Sequence, residues 1–357
     1  MIKILHSADL HLDSAFAGHS EAATARLRSE LRTIPEKIAA ICKKEKCDLL
    51  LLPGDLFDGN ATKESILALK HALEEVKIPT FISPGNHDFC VPGSPWLSEL
   101  WPKNVHIFKN PSVESVSLPQ LDCRVYGGAF TSLDSGALLE RFKTEGRERY
   151  HIGVFHGDPV QSSSPYNPVS QGQVAASNLD YLALGHVHKT GSFRAGKTLC
   201  AWPGCPMGRG FDELEEKGVL LVTLEQTAAV SFIPLDTPRF YDWEIPVEAE
   251  PGETIAKVLP AVGNDNFYRV TLTGECEKMD IAELYRRFSE FPNFELRDRT
   301  QPPVDIWGSA RGDSLEGVYF QMLRQIFDRE EDASKQIPLL AAKISRKILD
   351  GSEVVLP

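Results

Sequence analysis

The sequence predicts an α/β protein whose strands are joined by helices in βαβ units. Short apolar runs alternate with segments of helical period through the first half of the chain, which is the pattern of such units. Clusters of polar residues directly follow several of the apolar runs. With 357 residues, of which 42% are hydrophobic and 25% charged, the chain is long enough for two globular domains with buried cores.

The predicted strands are the short apolar runs. They cover residues 2–6, 48–52, 80–83, 124–126, 152–155, 181–184 and 219–224. Between the first two strands, apolar side chains recur at steps of three and four and define one face of a helix, formed by Leu27, Leu31, Ile34, Ile38 and Ile41. A second helix follows Thr62 as its N-cap, and its inner face consists of Ile66, Leu69, Leu73 and Val76.

A group of prolines marks the predicted end of the first domain. Four of them fall within a short segment: Pro234, Pro238, Pro246 and Pro251. We therefore expect one domain over residues 1–235 and a small α+β capping domain over residues 236–312. The elements expected in the capping domain are a strand at 267–273, a helix at 281–288 and a strand at 294–297.

The remaining residues, 313–357, are predicted to form a helical C-terminal tail. Apolar side chains recur there at helical spacing in two stripes, formed by Leu315, Tyr319, Met322 and Ile326 and by Ile337, Leu340, Ile344 and Ile348. Two roles are open for these stripes, because amphipathic helices either pack on their own domain or dock a partner.

Charge and composition exclude several classes of protein. The net charge of -12 opposes unaided binding to a polyanion, so any contact with nucleic acid needs bound metal ions, local basic patches or a partner. The seven cysteines are scattered without a CxxC pair, which argues against a disulfide framework and a structural zinc site. No apolar run reaches the length of about 18 residues typical of a membrane span, and residues 1–9 do not resemble a signal peptide, so we expect a cytoplasmic protein.

Five polar clusters come directly after predicted strands, where open α/β sheets place their ligand-binding loops. The clusters are Asp9-Leu10-His11, Gly54-Asp55, Gly85-Asn86-His87-Asp88, His156-Gly157-Asp158 and Gly185-His186-Val187-His188. Their imidazole nitrogens and carboxylate oxygens suit manganese, iron or zinc better than calcium. Because the candidates outnumber the ligands of one ion, we expect two ions that share a bridging carboxylate. Asp55 is the candidate bridge, since it follows the apolar strand that ends at Leu52.

The order and spacing of these clusters resemble the five signatures of the calcineurin-like metallophosphoesterases, from DLH to GHVH. The resemblance implies a four-layer αββα sandwich of two mixed sheets with a dinuclear site at the strand ends. It implies that one ion is held by Asp9, His11, Asp55 and His188, and the other by Asp55, Asn86, His156 and His186. His87 would then be the catalytic histidine that binds no metal, with Asp88 orienting it.

Finer signatures are similar to bacterial DNA-repair exonuclease subunits of the SbcD type. They include Ser7-Ala8-Asp9-Leu10-His11-Leu12, Gly54-Asp55-Leu56-Phe57-Asp58 and the segment 179–189. This similarity implies a manganese-dependent nuclease that acts on DNA as a homodimer with an SMC-like ATPase subunit of the SbcC type. Tyr166 and Arg209, in loops that fit the same group, are weaker candidates for substrate contact. Three further aspartates lie beside the motifs: Asp13, Asp58 and Asp158. We expect their carboxylates to contact the metal ligands or to be solvated, and not to bind metal themselves.

Two other functions remain open from the sequence. A dinuclear site does not determine what the phosphate carries, so a phosphodiesterase or phosphatase acting on nucleotides or phosphoproteins is the first alternative. The second is a scaffold that keeps the fold without turnover. Such a scaffold is expected to lack ligands or the acid, whereas this sequence retains the complete set.

Overall fold

A computed structural model describes residues 1–18, 20–247, 250–277, 279–303, 305–331 and 334–351 of the chain. Twelve strands form two large sheets: β1 (Ile2–His6), β2 (Leu49–Leu52), β3 (Thr80–Ile82), β4 (Val105–Ile107), β5 (Glu114–Leu118), β6 (Cys123–Gly127), β7 (Tyr150–His156), β8 (Tyr181–Gly185), β9 (Gly191–Ala195), β10 (Thr198–Trp202), β11 (Gly218–Leu224) and β12 (Ala228–Pro234). The helices along the same part of the chain are α1 (Glu21–Glu45), α2 (Lys63–Val76), α3 (Pro95–Ser98) and α4 (Gln171–Ser177).

Both large sheets are mixed. The first has the order β12-β11-β1-β2-β3-β4. Strands β1 to β4 are parallel, and β11 runs antiparallel to both of its neighbours, β1 and β12. The second has the order β5-β6-β7-β8-β10-β9, with parallel inner strands and an antiparallel strand at each edge. The carboxyl ends of the parallel strands therefore lie at one edge of each sheet.

The sheets pack face to face, and helices cover their outer faces. Ile4 and Leu51 of the first sheet share a buried cluster with Val154 and Ala183 of the second. Helices α1 and α2 cover the outside of the first sheet, while α4 packs on the outer face of the second through Val174. Burial of these apolar faces stabilises the assembly by about 25 cal/mol per Å². The predicted four-layer αββα sandwich is confirmed.

All seven strands predicted for this part of the chain are present, with ends that differ by at most two residues. Five further strands, β4, β5, β9, β10 and β12, were not predicted. Four of the five lie at sheet edges, where one side of the strand is solvated and the sequence has no continuous apolar run. The missed strands therefore do not alter the position of the loops that carry the polar clusters.

A buried histidine links the two sheets beside these loops. His6, the last residue of β1, is fully buried, and burial lowers its pKa to about 3. Its Nε2 lies 3.1 Å from the carbonyl oxygen of Leu184, and its Nδ1 lies 2.7 Å from the hydroxyl of Tyr181. Because a carbonyl can only accept, Nε2 carries the proton and Nδ1 accepts from the tyrosine. The ends of β1 and β8 are thus held together across the sandwich.

Two compact units divide the described chain. The first comprises Met1–Trp243, Ala261–Arg269 and Ser289–Glu295, and the second comprises Glu244–Pro260, Val270–Phe288 and the residues from Leu296 onward. A third sheet has the order β13 (Phe240–Pro246), β14 (Phe267–Thr273) and β15 (Phe294–Asp298). The remaining helices are α5 (Pro251–Ala256), α6 (Ile281–Arg287), α7 (Leu315–Arg329) and α8 (Gln336–Leu349).

The elements expected for residues 236–312 are present near their predicted positions, and the tail contains two helices. The domain boundaries at residues 235 and 312 stay predictions. Of the predicted tail, residues 332–333 and 352–357 lie outside the described residues. Helices α7 and α8 pack on each other through Phe320 and Ala342.

Two leucines on α2 test how much the outer helical layer contributes to stability. Leu69 is 1% exposed in the core of the first sheet, whereas Leu67 on the same helix is 62% exposed. We expect Leu69→Ala to lower the free energy of unfolding by about 2–5 kcal/mol, because it removes buried methyl groups and leaves a cavity. Leu67→Ala should change it by about 0.5 kcal/mol or less. Urea denaturation of both variants measures the difference, and equal effects would contradict this packing.

Candidate functional site

The predicted metal ligands and His87 lie at the carboxyl ends of β1, β2, β3, β7 and β8, with His156 as the last residue of β7 and the others on the loops that follow. Backbone hydrogen bonds hold the first two loops together, because Asp9 N donates to Gly54 O at 3.1 Å and His11 N donates to Asp55 O at 2.9 Å. The side chains of Asp9, His11 and Asp55 are almost completely buried. The strand-end positions predicted from the sequence thus converge at one edge of the sandwich.

One group of converging side chains consists of Asp9, His11 and His188, whose potential ligand atoms lie within 4.8 Å of one another. The Nε2 atoms of the two histidines are 3.1 Å apart. His11 Nδ1 is buried without a hydrogen-bond partner. Two imidazole nitrogens directed at the same point beside a carboxylate fit a shared metal ion better than an internal hydrogen-bond network.

A second group consists of Asp9, Asp55 and His156. His156 Nδ1 lies 3.0 Å from the carbonyl oxygen of Pro53, so Nδ1 donates to this carbonyl and Nε2 faces the carboxylate of Asp55. That Nε2 lies 3.3 Å from Asp55 Oδ2 and 2.9 Å from Asn86 Oδ1. The carboxylate of Asp55, the imidazole of His156 and the amide oxygen of Asn86 therefore lie close together, and their role as ligands of one ion stays a prediction.

His186 lies beside these groups in a different way. Its backbone N–H donates to the carboxylate of Asp9 at 2.9 and 3.0 Å, and its Nε2 lies 3.8 Å from Asp158 Oδ2. The ring centroid is 5.2 Å from that of His156 and 5.0 Å from that of Tyr166. Tyr166 therefore borders the site, and the role of His186 as a ligand stays a prediction.

The charges in the site support one another. Burial would raise the pKa of Asp55, but His156 and His11 outweigh burial and hold it well below its usual range. Burial opposes protonation of His156, yet the carboxylates of Asp55 and Asp9 raise its pKa to about 9. Buried carboxylates, imidazoles and one amide oxygen are the donor set of manganese, iron and zinc, so these residues fit a pair of divalent ions.

His87 lies at the rim of the site against an aspartate. Its Nδ1 is 2.8 Å from Asp58 Oδ1, and its side chain is 45% exposed. The hydrogen bond to Asp58 raises the pKa of His87 and so stabilises its protonated form, although burial acts in the opposite direction. His11, Asp58 and His87 also offer ligand atoms within 4.8 Å of one another, and the metal-free role of His87 stays a prediction.

The expectation that Asp88 orients His87 is corrected by this geometry. The Asp88 carboxylate accepts instead from the backbone N–H groups of Gly85 at 2.7 Å, Leu56 at 2.8 Å and Phe57 at 3.3 Å. Burial, together with the charge of Asp55, raises the pKa of Asp88 to about 7. Asp88 thus ties the loops after β2 and β3 together, and Asp58 is the carboxylate that holds the imidazole of His87.

Two residues from the segment between β10 and β11 complete the site. Arg209 was a weak candidate from the sequence, and its Nη2 lies 2.9 Å from His188 Nδ1. Burial lowers the pKa of His11, and the positive charge of Arg209 acts in the same direction. Glu213 was not predicted, although its Oε1 lies 2.7 Å from His188 Nδ1. It belongs to the acidic run 212–216, whose sequence does not indicate which carboxylate is buried.

With this fold and site, the chain belongs to the calcineurin-like phosphoesterase family, whose model matches residues 2–190. Proteins of this family bind a dimetal centre and hydrolyse phosphoesters. The matched region includes all five polar clusters. The family therefore accounts for the convergence of carboxylates and imidazoles at the strand ends.

Three relatives are informative. The uncharacterized metallophosphoesterase YhaO of Bacillus subtilis is 32% identical over 234 residues, which cover 62% of this chain and 57% of that protein. The SbcD subunit of the nuclease SbcCD from Staphylococcus epidermidis is 24% identical over 76% of this chain and 79% of its own. The DNA double-strand break repair protein Mre11 of Saccharolobus solfataricus is 26% identical over 53% of this chain and 50% of its own. The chain thus spans less than two thirds of YhaO and Mre11.

Among the described residues, no helix combines the length and apolar character that crossing a membrane requires.

Gly85 tests the close packing around Asp55. A Cβ atom at Gly85 would overlap Asp55 Oδ1 and lie 2.8 Å from Asp55 N. We expect Gly85→Ala to displace the carboxylate and to lower the manganese content of the purified protein by at least one equivalent per chain. Gly136→Ala is the matched control, because a Cβ there has nothing within 4 Å. Metal analysis after gel filtration measures the manganese content of both variants. Full metal content in Gly85→Ala would be inconsistent with a ligand role for Asp55.

Proposed function

We propose that this protein is a manganese-dependent phosphodiesterase that hydrolyses DNA as the nuclease subunit of a repair complex. The family supplies the class of reaction, and the SbcCD nuclease subunit from Staphylococcus epidermidis, which aligns with 76% of the chain, supports a nucleic acid as the substrate. The DNA double-strand break repair protein Mre11 of Saccharolobus solfataricus supports DNA and a role in repair.

The proposed ligand assignment follows the two groups of side chains. Asp9, His11, Asp55 and His188 would hold one ion, and Asp55, Asn86, His156 and His186 would hold the other. Asp55 is the bridge in this proposal, because its Oδ2 lies within 3.8 Å of the Nε2 atoms of both His11 and His156. A pair of divalent ions lowers the pKa of a bound water from 15.7 to about 7 and offsets charge on the phosphoryl oxygens.

The observation that carries the proposal is the position of His87 beside the ligand groups. Its ring centroid lies 4.8 Å from that of His11, and Asp58 favours its protonated form. A protonated imidazole at the rim of the site can donate its proton to the departing alkoxide when the P–O bond breaks. His87 is therefore proposed as the general acid and Asp58 as the residue that orients it.

The substitution His87→Ala tests this assignment. It removes a proton donor and, in this proposal, no metal ligand, so we expect manganese content to stay at the wild-type level. Turnover of an unactivated methyl phosphodiester, whose alkoxide needs a proton to depart, should fall by about 10²- to 10⁴-fold. Wild-type turnover by a metal-loaded His87→Ala protein would refute the role of general acid.

The substrate is tested by giving the manganese-loaded protein labelled double-stranded DNA, single-stranded DNA and a nucleoside phosphodiester, each with His87→Ala as control. Cleavage of DNA that disappears in the variant is the expected result. Turnover of the nucleoside compound alone would favour the nucleotide phosphodiesterase that the sequence left open. No turnover of any substrate would favour the scaffold.

We further propose that the protein works as a homodimer with an SbcC-like ATPase, and that helices α7 and α8 dock this ATPase. Similarity to the SbcD subunits of two SbcCD nucleases supports such a partner. All side chains of the two apolar stripes except the partly buried Ile344 are exposed, including Leu315 at 90%, Met322 at 60% and Ile348 at 63%. Exposed apolar side chains clustered on one surface are typical of protein interfaces.

Charge insertion tests the docking proposal. Leu315→Glu and Ile348→Glu should abolish co-purification with the ATPase encoded by the same organism, because each places a charge in an apolar contact. Leu67→Glu, on the exposed side of α2, is the control and should not affect co-purification with the ATPase. Turnover of the small phosphodiester should be unchanged in all three. Undiminished capture by both tail variants would mean that the ATPase binds elsewhere.

A further inference from the structure

The carboxylate of Glu213 is shared by a predicted metal ligand and by a cation at the site. Glu213 is 7% exposed and lies between β10 and β11. Its Oε1 is 2.7 Å from His188 Nδ1 and 3.1 Å from Arg209 Nη2. Its Oε2 accepts from Arg209 N at 2.9 Å and from the thiol of Cys205 at 3.4 Å. Both oxygens of one buried carboxylate are therefore fully engaged.

The contact with His188 determines which of its nitrogens is free. Arg209 Nη2 also lies 2.9 Å from His188 Nδ1, but the contact of this nitrogen with the Glu213 carboxylate is shorter, at 2.7 Å. Because a carboxylate only accepts, the proton is assigned to His188 Nδ1, and Nε2 keeps its lone pair. This Nε2 is the atom that lies 3.1 Å from His11 Nε2. A carboxylate that fixes the ring and tautomer of a histidine in this way strengthens the histidine as a ligand, typically by 10- to 100-fold in metal affinity.

The contact with Arg209 leaves part of the guanidinium available. Arg209 is held by Glu213 through both its backbone N–H and Nη2. Its Nε is buried and has no hydrogen-bond partner. An unpartnered buried N–H is costly, so the position favours a bound acceptor. Since Arg209 Nη2 lies 2.9 Å from Nδ1 of the predicted ligand His188, that acceptor would lie in the same site.

A further metal ion at Glu213 is a competing interpretation, because His188, Cys205 and Glu213 offer ligand atoms within 4.8 Å of one another. Arg209 already supplies the positive charge beside this carboxylate. The Cys205 thiol donates a hydrogen bond to Glu213 Oε2 at 3.4 Å, so the structure accounts for this sulfur as a partner of the carboxylate. The group is therefore better explained as an ion pair that supports the site.

We propose that Glu213 is a positioning residue that fixes His188 for metal binding and Arg209 for binding a non-bridging oxygen of the substrate phosphate. The forked N–H groups of a guanidinium match the geometry of phosphate oxygens. A phosphate oxygen would therefore supply the acceptor that Arg209 Nε lacks. The inference rests on the proposed phosphodiesterase function, since it assigns the phosphate to the same site. It adds a direct connection between metal binding and substrate binding through one carboxylate.

Two equilibrium measurements on the full chain test this without turnover. Manganese affinity is measured by competition with a chelator, and inorganic phosphate affinity is measured by calorimetry on the manganese-loaded protein. Arg209→Ala should weaken phosphate binding by about 10- to 100-fold, because it removes a charge-assisted hydrogen bond, and leave manganese affinity within about twofold. Glu213→Gln should weaken both, with manganese affinity falling by about 10- to 100-fold. Glu215→Gln, a neighbouring carboxylate that is 43% exposed, is the control and should match wild type.

The double variant separates the two contacts of Glu213. In the Arg209→Ala background, Glu213→Gln should have no further effect on phosphate affinity but should still weaken manganese binding. Additive losses of phosphate affinity would overturn the coupling through Arg209, and wild-type affinities in Glu213→Gln would overturn the proposal. If Glu213→Gln does not fold, Arg209→Lys tests the contact between Arg209 and phosphate, because lysine keeps the positive charge but lacks the forked guanidinium. Unchanged phosphate affinity in Arg209→Lys would contradict this contact. A wild-type protein that binds manganese and phosphate but hydrolyses no phosphodiester would refute the proposed function and leave this inference intact.

Discussion

The buried negative charge of Asp55 is the constraint around which the site is organised. Its side chain is 2% exposed, and desolvation alone would favour the neutral acid. The carboxylate stays charged because His156 and His11 surround it and His87 N donates to Oδ1 at 2.9 Å. These groups come from loops of both sheets, so the carboxylate can be stabilised only when the sandwich is assembled. The fold and the charge of the site therefore depend on each other.

The loops adopt unfavourable backbone geometry to bring these groups together. Asp9, His11, Asp55 and His186 have positive φ angles of 54°, 45°, 51° and 97°. Such geometry costs of order 1 kcal/mol or more for each residue other than glycine, and it is concentrated in proteins at functional sites. The strands hold the loops in place, because β1, β2 and β8 are almost completely buried and the His6 side chain joins β1 to β8. Burial of the strands thus offsets the strain of the loops.

Much of the sandwich could be predicted because its central strands are continuous apolar runs and its ligands follow them directly. The edge strands could not, since solvated strands have no such pattern. At the site, strand-end position predicted that Asp55 and His156 would meet. It could not decide between Asp58 and Asp88 as the partner of His87, because the choice depends on how two loops cross. Nor could it identify Glu213, which meets His188 from 25 residues away along the chain.

The presence of two ions between these loops is tested most directly by anomalous diffraction from crystals grown with manganese. Data collected on both sides of the manganese absorption edge locate the ions independently of any assumed ligand. Two peaks about 3.5–4 Å apart are predicted, one bounded by Asp9, His11 and His188 and the other by Asn86 and His156, with Asp55 between them. A single peak, or two peaks that share no carboxylate of Asp55, would contradict the dinuclear site.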